Sequence, residues 1–147
     1  LENTNRRYVL TAAELIDRLY ICQLKQIFIA DHADSYQEEI QDIIHDLNQI
    51  IEEKDIVLTG ELIRQFGVLM LANRYIWENE SKARQGNDQD FNLLKLTHSI
   101  NGIRNTAKNL ISEGLGERTD LKIDCFASNL PEEFGNWDIF VRKKKET

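Results

Sequence analysis

The first 130 residues of this chain contain no proline. Its single proline is Pro131, and there are only seven glycines in 147 residues. A proline inside a helix removes a backbone hydrogen bond and clashes with the preceding turn. A long stretch without one leaves helices free to run. Through that stretch apolar residues recur at three- and four-residue steps, the period of a helix packed by one face. Four such segments are predicted, at about residues 12–30, 35–54, 60–84 and 88–113. The expected fold is all-α: a single domain of four long antiparallel helices joined by short loops. Residues 115–147 would form an extended aromatic tail packed across the bundle.

Local signals support these boundaries. Thr11 with Glu14, and Ser35 with Glu38, have the spacing of capping boxes. Thr59 is the expected N-cap of the third helix, Asn87 or Asp88 that of the fourth, and Gly114 its C-cap. In the tail, Leu121, Ile123 and Cys125 alternate with Lys122 and Asp124, which reads as a short strand or extended packing segment. Phe126, Phe134, Trp137 and Phe140 supply the tail's aromatic contacts. The first helix is apolar nearly all round, the pattern of a buried helix.

Charge excludes some classes of partner. The formal net charge of −7 argues against general nucleic-acid binding, which requires a basic face. No apolar run approaches the ~18 residues needed to span a membrane. Two cysteines, Cys22 and Cys125, give neither a disulfide framework nor metal-ligand spacing, and the opening LENTNRR is polar. The expectation is a reduced, cytoplasmic protein. Helices this long bury more than one stripe each, which predicts a homo-oligomer.

Against this acidic background, residues 91–112 carry Lys95, Arg104 and Lys108 and no carboxylate. Thr97, Asn101, Arg104 and Lys108 stack along one edge of that helix's apolar face. They could hold an anion, Arg through a planar fork and Lys as a point charge. Equally, the two cations could cover the core edge with their stems and leave their heads in water. On the third helix Asn73, Glu80 and Arg84 fall at the centre of the face formed by Leu62, Phe66, Leu69, Ile76 and Trp77. Buried polar groups need partners. Glu80 and Arg84 can pair at i, i+4, whereas Asn73 must tie helices together or line a pocket. The first helix gathers Glu14, Asp17, Arg18 and Lys25 in a narrow band, and Glu39 and Asp42 lie on one flank of the second.

Two resemblances rest on these residues. The run Glu14-Leu15-Ile16-Asp17-Arg18-Leu19 with Leu24-Lys25, then Asn73, Trp77, Glu80 and Arg84, then Asn101, Arg104 and Lys108, resembles a group of small uncharacterised helical proteins from bacterial and phage genomes. That resemblance implies that the charged band, the polar residues of the third helix and the basic edge belong together. The pairs Glu14-x-x-Asp17 and Glu39-x-x-Asp42 resemble the carboxylate pairs of all-α nucleoside triphosphate pyrophosphohydrolases of the MazG and dimeric dUTPase kind. There the family uses E-x-x-E and E-x-x-D to hold Mg²⁺ on a pyrophosphate, and Asp17 stands where it has Glu.

The leading expectation is a non-catalytic binding protein for a small phosphate-bearing, nucleotide-like ligand, with no cofactor. Asn101, Arg104 and Lys108 would hold phosphate, Arg18, Lys25, Asn73, Glu80 and Arg84 would complete a polar pocket, and Trp77 would stack on a base. In the phage setting implied by the resemblance, such a protein would sequester a signalling nucleotide. The enzyme alternative makes Glu14, Asp17, Glu39 and Asp42 ligands of Mg²⁺. A third reading is a structural assembly partner with no small ligand.

Overall fold

The computed structural model describes residues 7–85, 91–119, 130 and 132–141. They form α1 (Ala12–Phe28), α2 (Ala33–Glu53), α3 (Gly60–Gln85), α4 (Phe91–Gly114) and the short α5 (Asp138–Val141), with 3₁₀ turns at Ala30–His32 and Glu132–Phe134. The fold is all-α, and the described residues contain no strand. The segment expected to be extended at 121–125, the aromatic Phe126 and the expected cap at residue 87 or 88 lie outside the described residues.

The helices form layers around α1. On one side Leu15 and Cys22, with Leu19, meet Ile40 and Ile43 of α2. On the other, Ala13 with Ile16 and Tyr20 meets Leu62 and Leu69 of α3 and Ala107 and Ile111 of α4. The α3–α4 hairpin has its own core of Ala72, Ile76, Leu96, Ile100 and Ile103. So α2 packs on α1 rather than on the hairpin, and α1 is the central layer. Its apolar residues are spread widely because it has neighbours on both sides. Leu130, Phe134, Trp137 and Phe140 pack on the hairpin core. Tyr75 meets Phe134 and Trp137 edge-on, at 5.4 and 6.0 Å between ring centroids.

The helix ends show where local signals hold and where they shift. Thr11 Oγ1 accepts the Glu14 backbone N–H, and Thr59 Oγ1 accepts that of Leu62, both at 3.2 Å. Ser35 caps nothing. The 3₁₀ turn at Ala30–His32 runs directly into α2, which starts at Ala33 and places Ser35 inside its first turn. Gly114 is the last residue of α4, not the left-handed cap. That cap is Gly116, at φ 69°. Its N–H donates to the Glu113 carbonyl at 3.1 Å, and Glu117 N–H to that of Ser112 at 2.8 Å, the paired bonds of a Schellman motif. Gly114 serves close packing instead: a Cβ there would stand 3.0 Å from Leu62 Cδ2.

One carboxylate fastens this end of the molecule. Both oxygens of Glu117 accept the Ala12 N–H, at 2.9 and 3.0 Å, and Lys54 Nζ reaches Oε2 at 3.1 Å. The start of α1, the end of α2 and the chain after α4 therefore meet at Glu117, whose negative charge also suits a helix N-terminus. No helix among the described residues is long and apolar enough to cross a membrane.

Candidate functional site

The site is built around Asp17, which lies one turn beyond Ala13 on the α1 face that meets α3 and α4, and is 5 % exposed. A carboxylate so placed needs donors from the elements opposite. α3 supplies Asn73, buried between Leu69 and Ile76, whose Nδ2 donates to Asp17 Oδ1 at 2.8 Å. α4 supplies Arg104, next to the buried Ile103. Its Nε donates to Oδ1 at 2.9 Å and its Nη2 to Oδ2, a two-point fork. One turn further on, Lys108 Nζ stands 3.7 Å from Oδ2. Burial alone would raise the Asp17 pKa. The hydrogen bonds and charge of Arg104, the Asn73 amide and the charge of Lys108 outweigh it, and hold the carboxyl below its ordinary value.

Three of the sequence-predicted site residues thus converge, and they converge on Asp17. Asn73 ties helices together. Asn101, one turn before Arg104, stays half-buried at the same edge of α4. The side chains of Arg104 and Lys108 keep 24 % and 19 % of their surface exposed, so the edge is partly open to water.

The remaining candidates go elsewhere. Arg18 faces α2, where Nε and Nη2 both lie 2.9 Å from Glu39 Oε1. This pairing holds the Glu39 carboxyl below its ordinary value. Lys25 lies over the Tyr36 ring at 5.8 Å. Trp77 packs against Phe28 at the end of α1, with centroids 6.1 Å apart. Arg74 covers the same Phe28 ring at 4.4 Å and pairs with Glu78 at 2.9 Å. Glu80 and Arg84, expected at the centre of the core face, are exposed. Because α1 ends at Phe28 beside Trp77, the last two turns of α3 project beyond it. The buried polar residue in that region is Asn79, 2 % exposed, whose Nδ2 has no hydrogen-bond partner.

The four carboxylates of the enzyme alternative do not gather. Glu14 pairs with Arg118 at 3.0 Å, Asp17 with Arg104, Glu39 with Arg18, and Asp42 is exposed. Among the described residues no group of three or more His, Cys, Asp or Glu side chains is placed to hold a metal ion.

Asp17 has a sequence signal, because it shares a helical face with Ala13 and Leu24, both buried. Glu117 has none: it lies in a loop, and its partners Ala12 and Lys54 are remote in sequence. Comparison with protein-family models, curated proteins and solved structures finds no match to this chain.

Proposed function

We propose that the protein binds a small phosphate-bearing, nucleotide-like ligand without turning it over, at the α4 edge formed by Asn101, Arg104 and Lys108. The observation that supports this reading is a charge imbalance. One buried carboxylate, Asp17, is met by two cations, Arg104 and Lys108. The cluster therefore keeps a net positive charge in a chain of net charge −7. Asp17, itself held by the Asn73 amide, also fixes Arg104 in place, so little side-chain freedom remains to be lost on binding. Lys108 lies beyond hydrogen-bond length from Asp17, which leaves its ammonium protons for another acceptor. Binding without turnover fits a sequestering role in the phage setting that the sequence resemblance implies. Arg18, Lys25, Trp77, Glu80 and Arg84 take no part in this proposal.

Isothermal calorimetry tests it, with inorganic phosphate, pyrophosphate and a nucleotide panel against the wild type, Lys108→Gln and Arg104→Ala. Lys108→Gln leaves every hydrogen bond to Asp17 in place and removes only a charge 3.7 Å away, so it should lose affinity with a smaller fall in melting temperature than Arg104→Ala. No heat with any of these anions, or unchanged affinity in both variants, rules the reading out.

A second reading is supported by the burial of Asp17 under three hydrogen bonds: a register lock in an assembly protein with no small ligand. Anion titrations would then be silent, and only stability would respond to substitution.

A further inference from the structure

One face of α3 meets no other element among the described residues. Ile63 and Leu71 are 56 % and 54 % exposed on it, and Gly67 lies midway between them. Gly67 is the anomaly. A glycine inside a helix costs about 1 kcal/mol relative to alanine. Usually something close by uses the missing side chain, as Leu62 does at Gly114. At Gly67 nothing lies within 4 Å of where a Cβ would stand. The space it opens faces outward, beside two exposed apolar side chains.

The charges along the same face are self-complementary. Arg64, Leu71 and Glu78 are spaced seven residues apart, so they fall nearly on one line along the helix. Arg64 is exposed and makes no ion pair among the described residues, while the Glu78 side chain is 41 % exposed beside Arg74. Suppose a second α3 lies antiparallel, with Leu71 against Leu71. Arg64 and Glu78 each stand about 10 Å from that centre along the axis. Each Arg64 then comes level with the other copy's Glu78, on both sides of the two-fold. Glu61 and Lys82 are brought together in nearly the same register. A parallel arrangement would set like charges against each other. Such an isologous contact closes as a dimer.

We infer that this face of α3 is the interface with a second copy of the chain, packed antiparallel about Leu71, with Gly67 admitting the partner's backbone. The shallow crossing of helices packed in this way keeps the charge pairs within reach. This interface is independent of the anion reading, since Asn101, Arg104 and Lys108 lie on α4.

Sedimentation equilibrium across micromolar concentrations should find two chains per particle for the wild type. Arg64→Glu should yield monomers that keep the helical circular-dichroism spectrum of the wild type, because the side chain is exposed and makes no ion pair among the described residues; their melting temperature should no longer depend on protein concentration. Arg64→Glu combined with Glu78→Arg should restore the dimer, a recovery that nonspecific apolar association would not give. Gly67→Leu, which has room in the single chain, should also dissociate it. A monomeric wild type, or a dimer that survives both Arg64→Glu and Gly67→Leu, overturns the assignment.

Discussion

Replacing Asp17 by Asn tests the centre of the molecule with almost no change in shape. The substitution removes one negative charge facing Arg104 and Lys108, and replaces an oxygen acceptor by an NH₂ donor that faces other donors. Taking one partner from a buried ion pair costs about 3–5 kcal/mol, because the other charge is left uncompensated. Here the two cations keep 24 % and 19 % exposure and can turn partly to water. The expected loss is therefore near the lower end, about 3 kcal/mol. For a chain of this size that corresponds to a fall in Tm of about 6–12 °C. Urea unfolding followed by far-ultraviolet circular dichroism at neutral pH measures it, with an unchanged m confirming that the same surface unfolds. A loss below about 1 kcal/mol, the range of exposed ion pairs, would refute the account of Asp17 as the anchor of three helices.

The same pair of proteins predicts a pH dependence of definite sign. The folded-state pKa of Asp17 lies below its ordinary 3.8. The advantage of wild type over Asp17→Asn should be complete above that value. It should shrink as pH falls through the lower folded-state value, where the native carboxylate takes up its proton. If burial instead outweighed the donors, the folded-state value would lie above 3.8, and wild type would gain stability relative to Asp17→Asn as pH fell through it.

Other substitutions probe separate features. Glu117→Gln should cost about 1–2 kcal/mol in the same urea experiment, since it weakens the cap of α1 and removes the ion pair with Lys54. Gly114→Ala should destabilise in spite of alanine's helix propensity, because its Cβ would crowd Leu62 at 3.0 Å. Leu69→Ala, at a site with 0 % exposure, should cost about 3–5 kcal/mol. Hydrogen exchange should find α2 less protected than α4, since only Ile40 and Ile43 of α2 are buried; equal protection would contradict the layered arrangement.

Much of the architecture was legible because each helix repeats its apolar stripe over several turns. The errors fall where something outside the helix's own apolar pattern decides, whether the adjoining turn or a remote element. Ser35 carried a capping signature, yet the 3₁₀ turn before it started α2 earlier. Gly114 read as a cap because glycine after an apolar run usually is one; the contact with Leu62 gives it another use. Glu80 and Arg84 share the angular position of Asn73, so periodicity cannot separate them. What separates them is the length of α1, which covers Asn73 and stops beside Trp77. The convergence of Asn73, Arg104 and Lys108 was anticipated as the wall of a pocket. Helical period places Asp17 on a buried face with Ala13 and Leu24, but that it stands between these three depends on how α1 is rotated against the hairpin.

That rotation gives α1 two unlike faces. Toward α2 its apolar residues are flanked by Arg18 and Glu39, whose side chains are 64 % and 35 % exposed. An ion pair in water contributes about 0–1 kcal/mol and specifies little. Toward the hairpin the apolar contacts surround Asp17, and here geometry is demanding. Sliding α1 by one residue against α3 or α4 would move the carboxylate about 1.5 Å along the axis and rotate it by about 100°. Asn73 and Arg104 would then be left buried without their acceptor, whereas a slip between purely apolar faces loses only packing. A single buried carboxylate thereby excludes neighbouring registers on one side of α1, while apolar contact with exposed ion pairs suffices on the other. The same carboxylate determines what the α4 edge can offer outside. It occupies two of the five N–H donors of Arg104, on Nε and Nη2, and none of those of Lys108, so an anion bound there would meet the Lys108 ammonium together with the remaining donors of an Arg104 already fixed in place.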